Sequence, residues 1–215
     1  MIIDCISDLH GHLPELEGGD LLIVSGDLTA RDTLPEYFRV FSWIAKANYK
    51  KKIVIAGNHD NLLQEDDWFA TNTKDFDYLC DSGTEFEGLK IWGSPWTKTF
   101  EGMNPRCKAF TCDTEEELAV KFSLIPDDTD ILITHSPSFG NYDWVKNPYD
   151  GSIGPSVGSV SLWLKCLETL PKLHVFGHIH EAYGYSKHNN GITLVNSSIV
   201  NERYQPVNKP IRIIL

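Results

Sequence analysis

Five short apolar runs in this chain each end on a cluster of polar residues, and no other feature constrains the fold as tightly. The runs are Ile2 to Ile6, Leu21 to Ser25, Ile53 to Ala56, Ile131 to Ile133 and Leu173 to Phe176. The clusters are Asp8-Leu9-His10, Gly26-Asp27, Gly57-Asn58-His59-Asp60, Thr134-His135-Ser136 and Gly177-His178-Ile179-His180. Runs this short, rich in Ile, Leu and Val and bounded by turn residues, read as buried strands. In open α/β sheets, ligands gather at the carboxyl ends of strands. The repeated placement of Asp, Asn and His at strand ends therefore predicts one shared site.

The residue types point to a pair of metal ions. Two divalent ions about 3.5–4 Å apart need a ligand that touches both, and a carboxylate can bridge. Asp27 is the candidate bridge. The other donors are imidazoles, the Asp8 carboxylate and the Asn58 amide oxygen. That mixed nitrogen and oxygen set suits Mn, Fe, Zn or Co better than Ca or Mg. The clusters contain no cysteine, which argues against a thiolate site. Gly26, Gly57 and Gly177 let the backbone turn beside the ligands.

These motifs resemble the calcineurin-like metallophosphoesterase family, whose pattern is D-x-H, GD, GNH[E/D], a lone His and GHxH. All five elements occur here in order, from Asp8 to His180. The resemblance implies a four-layer α/β/β/α sandwich of two mixed sheets flanked by helices. It implies one metal held by Asp8, His10, Asp27 and His180, and a second held by Asp27, Asn58, His135 and His178. The cofactor implied is two divalent transition-metal ions, with Mn first and Fe, Zn or Co as alternatives. His59 would be catalytic, and Asp60 would orient its ring. Further stretches, including Trp92-Gly93-Ser94-Pro95-Trp96 and Gln205-Pro206-Val207-Asn208-Lys209-Pro210, are similar to a narrower branch of small metallophosphoesterase-domain-containing proteins that look like class III cyclic-nucleotide phosphodiesterases. Some members of that branch carry Gly where this chain has His178.

Composition narrows the partners. The formal charge of −11, from 19 basic and 30 acidic residues, disfavours a polymeric nucleic acid, which is bound mainly through Lys and Arg on phosphates. The Lys50-Lys51-Lys52 run is short and reads as a solvated helix end. The 5 cysteines are odd in number and show no repeated spacing, so free thiols in a reducing compartment are expected, with Cys107 and Cys112 the pair close enough in sequence to join. No run reaches the length of a membrane span. A cytoplasmic protein of one domain, residues 1–215, is expected.

Helices are predicted over Leu34 to Asn48, Thr114 to Leu124 and Val160 to Leu170. Thr33 is the expected cap of the first, and Asp113 with Glu116, or Thr114 with Glu117, forms a capping box at the second. Thr84 to Phe86 and Lys90 to Trp92 predict a hairpin around Glu87-Gly88. Thr193 to Val195 and Ile211 to Ile214 read as closing strands of the second sheet. Residues 93–111 and 137–158 remain as long irregular stretches, and such loops are commonly functional. They carry Trp96, Phe100, Phe110, Phe139, Tyr142, Trp144 and Tyr149. Trp96 and Tyr142 are the candidates for stacking on substrate, against the alternative that they pack the loops onto the core. His12 is a candidate phosphate contact. His174 reads as packing and His188 as a turn residue.

The expected reaction is hydrolysis of a phosphoester by a metal-bridging hydroxide, with His59 serving the leaving oxygen. Protein phosphatases of the family extend GD to GDxVDRG and place Arg before GNHE. This chain reads Gly26-Asp27-Leu28-Thr29-Ala30-Arg31-Asp32 and Ala56-Gly57-Asn58-His59-Asp60. Those departures favour a small phosphodiester, such as a cyclic nucleotide, over a monoester. The alternatives are a phosphomonoesterase of the same fold and a non-catalytic scaffold. Loss of ligands would favour a scaffold, and no ligand is missing.

Overall fold

The computed structural model describes residues 1–100, 102–146 and 151–215. The first half contains β1 (Ile2–Ile6), β2 (Gly19–Ser25), α1 (Leu34–Lys46), β3 (Tyr49–Ile55), α2 (Asn61–Glu65), α3 (Trp68–Thr71), β4 (Asp77–Tyr78), β5 (Ser82–Phe86), β6 (Leu89–Ser94) and β7 (Thr97–Lys98). There follow β8 (Thr111–Cys112), α4 (Glu115–Phe122), β9 (Ile131–Thr134), β10 (Trp144–Lys146), β11 (Ile153–Ser156), α5 (Val160–Thr169), β12 (Leu173–Phe176), β13 (Gly184–Lys187), β14 (Thr193–Asn196) and β15 (Ile211–Ile214). One sheet has the order β15-β1-β2-β3-β4 and the other β13-β14-β12-β9-β6-β5.

Side-chain alternation sets the layers. Ile3, Cys5, Leu21, Ile23, Ile53 and Ile55 point from the first sheet into a core shared with Ile131, Ile133, Leu173 and Val175 of the second. The intervening residues Leu22, Val24 and Val54 face the opposite way, onto Tyr37, Val40, Phe41 and Ile44 of α1. Leu132, Phe176 and Leu194 face Leu118 and Phe122 of α4 and Leu162 and Cys166 of α5. This is the α/β/β/α sandwich. Strands buried on both faces read as near-continuous apolar runs, which explains why these five were visible in the sequence. Each fully buried side chain of this size contributes about 1.5–3 kcal/mol.

The five ligand-bearing strands run parallel where they adjoin: β1 with β2, β2 with β3, and β12 with β9. Their carboxyl ends therefore open on one edge of the sandwich. The Thr114–Glu117 capping box is present. Helix α1 ends at Lys46, and Thr33 makes no side-chain cap; its hydroxyl donates to Glu36 Oε2 at 3.3 Å instead. Phe38 lies four residues after Leu34, a spacing that suits one buried helix face, yet it is 57% exposed.

Two expectations are corrected. The segments 93–111 and 137–158 are not wholly irregular, because β7 pairs with β8 and β10 with β11. Strand β15 closes the first sheet, pairing antiparallel with β1, rather than the second. The alternation of buried Ile211 and Ile213 fits any half-covered edge strand, so it carried no information about which sheet. What selects the partner is Arg212, whose Nε and Nη2 donate to both oxygens of buried Asp4 on β1, each at 2.8 Å. Tyr49 Oη also donates to Asp4.

Removing that clasp tests the assignment. Arg212→Met leaves the Asp4 carboxylate with Tyr49 alone and is expected to lower the urea midpoint. An unchanged midpoint would show that the pair contributes nothing to holding β15.

Candidate metal centre

Each candidate ligand sits one to three residues beyond a strand or on the turn that leaves it. Asp8, His10, Asp27 and His178 have φ of 53°, 41°, 55° and 70°. Left-handed backbone is uncommon outside glycine, although Asp and His adopt it more readily than most residues, and it persists where surrounding structure over-determines it. Here these residues lie on the turns that leave β1, β2 and β12. The glycines permit the crowding: a Cβ at Gly57 would come 2.3 Å from Asp27 Oδ1, and one at Gly177 would come 2.3 Å from Asp8 Oδ2.

Three groups of donor atoms converge: Asp8, His10 and His180; His10, Asp27 and His59; and Asp8, Asp27 and His135. Within each group the donor atoms lie within 4.8 Å of one another. His180 Nε2 is 3.4 Å from Asp8 Oδ1 and 3.4 Å from His10 Nε2. Asp27 stands between the two halves, with Oδ2 3.7 Å from His10 Nε2 and Oδ1 3.4 Å from His135 Nε2. Asn58 Oδ1 lies 3.1 Å from His135 Nε2, so the amide joins the second half. The ring of His178 packs 5.0 Å from that of His135, and its backbone N–H donates to both Asp8 oxygens.

Backbone carbonyls aim the imidazoles. His135 Nδ1 donates to Ser25 O at 2.9 Å and His180 Nδ1 to Asn201 O at 3.2 Å. That arrangement leaves Nε2 of each ring directed at the centre, as metal-ligating histidines require. Two buried carboxylates, several inward-facing imidazoles and an amide oxygen fit a pair of divalent transition-metal ions.

The electrostatics agree. Burial alone would raise the Asp27 carboxyl, but His135, His59 and His10 overcome it and hold Asp27 well below the usual carboxylate range. Burial lowers His10 to about 4 and His178 to about 3, keeping both rings neutral and able to ligate. Burial also works against a charged His135, but the Asp27 carboxylate prevails and lifts it to about 9. A cation must displace that proton. Affinity of metal-stripped protein for Mn²⁺ is therefore expected to climb with pH up to about 9. Binding should also release protons, measurable by calorimetry in buffers of different ionisation enthalpy.

His59 Nε2 lies 3.8 Å from Asp27 Oδ2, and its backbone N–H donates to Asp27 Oδ1 at 2.9 Å. The orienting role expected of Asp60 is corrected. Its buried carboxylate accepts from the Leu28 and Gly57 amides and from Tyr37 Oη, at 3.1, 2.8 and 3.0 Å. It therefore ties the Asp27 loop to the Asn58 loop. The neighbour of His59 Nδ1 is Cys107 Sγ, at 3.5 Å. Asp60→Ala would strand two buried backbone donors, since Tyr37 Oη keeps Asp32 Oδ1 at 2.7 Å, and is expected to lose more than about 2 kcal/mol in urea unfolding, while Asp60→Asn retains most of the stability.

Trp96 and Tyr142 are not brought to the centre. Trp96 Nε1 donates to Asp81 Oδ2 at 2.7 Å, and its ring carries Lys121 Nζ at 3.7 Å. The Tyr142 ring packs against Gly184. Tyr149 lies outside the described residues. His12 lines a cavity of about 1180 Å³ beside the centre and donates to Tyr204 O at 3.1 Å. His174 is buried against Thr134 and Cys166, and His188 packs on Trp163 in its turn. All five cysteines are free. Sequence reasoning missed Cys107 and Tyr204, which lie beside His59 in chain segments without periodicity or motif.

Among the described residues no helix is long and apolar enough to cross a membrane. The family model for calcineurin-like phosphoesterases matches residues 1–182. Metallophosphoesterase domain-containing protein 1 of Homo sapiens is 34% identical over 234 residues, covering 96% of this chain and 68% of the relative. A UPF0046 protein of Caenorhabditis elegans is 32% identical over 229 residues, covering 96% of this chain and 78% of its own. A solved structure of TT1561 from Thermus thermophilus superposes with a TM-score of 0.59 at 15% identity, covering 91% of this chain and 88% of its own, which speaks to the fold. The chain belongs to the calcineurin-like metallophosphoesterase family.

Proposed function

We propose that this protein is a phosphodiesterase acting on small phosphodiesters, with cyclic nucleotides the first class to test, rather than on polymeric nucleic acid. The observation that carries the reading is the full set of Asp8, His10, Asp27, Asn58, His135, His178 and His180 gathered on one sheet edge, with His59 beside Asp27 and reaching the cavity above it. When bound, two divalent ions, Mn first among the candidates, acidify water and offset phosphoryl charge. The protein's own contribution is positioning. Asp27 spans both ligand groups, Asn58 and the imidazoles fix the phosphoryl position, and His59 is placed to protonate the leaving oxygen. His59 opens onto a cavity of about 910 Å³ that also holds Phe100, Met103, Val145 and Val157, an apolar wall suited to an organic ester group.

A second reading, phosphomonoesterase, is favoured by one observation. Arg31 and Arg106 line the 1180 Å³ cavity that shares His59. Neither side chain forms an ion pair among the described residues, so both are available to a dianion. The test compares bis-p-nitrophenyl phosphate with p-nitrophenyl phosphate on metal-stripped protein re-loaded with Mn²⁺. Diester turnover is expected to exceed monoester turnover, and the reverse order would select the second reading. His59→Ala is expected to keep its metal and to lower kcat by roughly 10²–10⁴-fold. Loss of metal in that variant would make His59 a ligand instead.

A further inference from the structure

Two cavities meet over the metal centre, and the residues common to both walls are His59, Asn104, Cys107 and Tyr204. Tyr204 stands out among them. Its ring lies 4.6 Å from that of His10 at 76°, 5.1 Å from His180 at 86° and 6.1 Å from His59. It touches the rings of two ligands and of the catalytic candidate, yet it remains 46% exposed. An aromatic that served only to fill the core would be covered.

The backbone holds Tyr204 there against its preference. Its φ is 58°, the left-handed region. The turn around it is heavily tied: Tyr204 N donates to Asn201 O at 2.8 Å, and Asn201 Oδ1 accepts from the amides of Arg203 and Gln205, both at 3.0 Å. His12 Nε2 fastens the Tyr204 carbonyl from the other side. Strain that is over-determined in this way, beside a reactive centre, marks a placed side chain.

Metal ligands recognise a phosphoryl group, which every phosphoester shares. Discrimination must come from contacts to the organic part, and an aromatic surface accepts any planar group. We propose that Tyr204 is the specificity-determining residue of this centre. Its ring is the platform for the organic arm of the substrate, so phosphodiesters with a planar, nucleoside-like arm are preferred over those with a small alkyl arm. The proposal rests on the phosphodiesterase reading above.

The test uses two diesters with the same p-nitrophenolate leaving group, thymidine 5′-(p-nitrophenyl) phosphate and methyl p-nitrophenyl phosphate, on the Mn²⁺-loaded protein. Tyr204→Gly removes the ring and accepts the left-handed backbone, so the turn is kept; Tyr204→Phe retains the ring. In Tyr204→Gly the KM for the nucleoside ester is expected to rise roughly ten-fold more than that for the methyl ester. Tyr204→Phe is expected to keep the wild-type ratio of the two. Equal changes on both esters in Tyr204→Gly, with metal content retained, would overturn the proposal, because a merely structural ring affects both alike. Loss of metal from Tyr204→Gly would also overturn it, by making the ring a support for the ligands. A wild-type protein inactive on both esters would overturn the phosphodiesterase reading itself, and this inference with it.

Discussion

The buried carboxylate of Asp27 is the contact on which the rest of the site depends. It lies between the two ligand groups, reaching His10 on one side and His135 on the other, and it accepts the backbone N–H of His59. A buried anion is costly unless it is surrounded by donors or cations. The molecule meets that cost with imidazoles from both sheets, so the same residues that hold Asp27 ionised also complete a cation site. The two functions cannot be separated, because a site that attracts divalent ions must first assemble like charges.

Bringing Asp8 and Asp27 to one point requires unusual backbone. Asp8, His10, Asp27, His178 and Tyr204 all occupy left-handed conformations, and all lie at the centre. The two sheets supply the rigidity that sustains them. Ser7 N donates to Ser197 O and Ile199 N to Ser7 O, so the end of β1 is stitched to the segment leaving β14 in the opposite sheet. The Asp60 carboxylate performs the same service between the Asp27 and Asn58 loops. Catalytic geometry in this fold is therefore a property of the sandwich edge, with the loops held from beneath.

Above the ligand cluster the surroundings divide. One side is walled by Phe100, Met103, Val145 and Val157, the other by Arg31 and Arg106, with Tyr204 and His59 common to both. The first cavity has an apolar stretch of wall, whereas the second is polar and carries Asp32 and Glu65 as well as the two arginines.

The sequence by itself determined the sheet-forming runs, the motifs at their ends and the family. Each of these is encoded locally: burial on both faces forces continuous apolar runs, and ligation forces Asp, Asn and His directly after them. Helix α4 was legible through its capping box for the same reason. Only the tertiary structure decided what depends on distant chain segments meeting. Strand β15 joined β1 because Arg212 reaches Asp4, 208 residues away. Asp60 became a loop tie because the Leu28 amide arrives beside it, 32 residues away in sequence, together with that of Gly57. Trp96 was withdrawn from the centre by Asp81, and Tyr204 was delivered to it by a turn whose letters resemble those of any surface loop. Periodicity records which face of an element is buried. It carries nothing about which partner a polar or aromatic side chain will find, since that is settled by packing and by the need to pair every buried polar group.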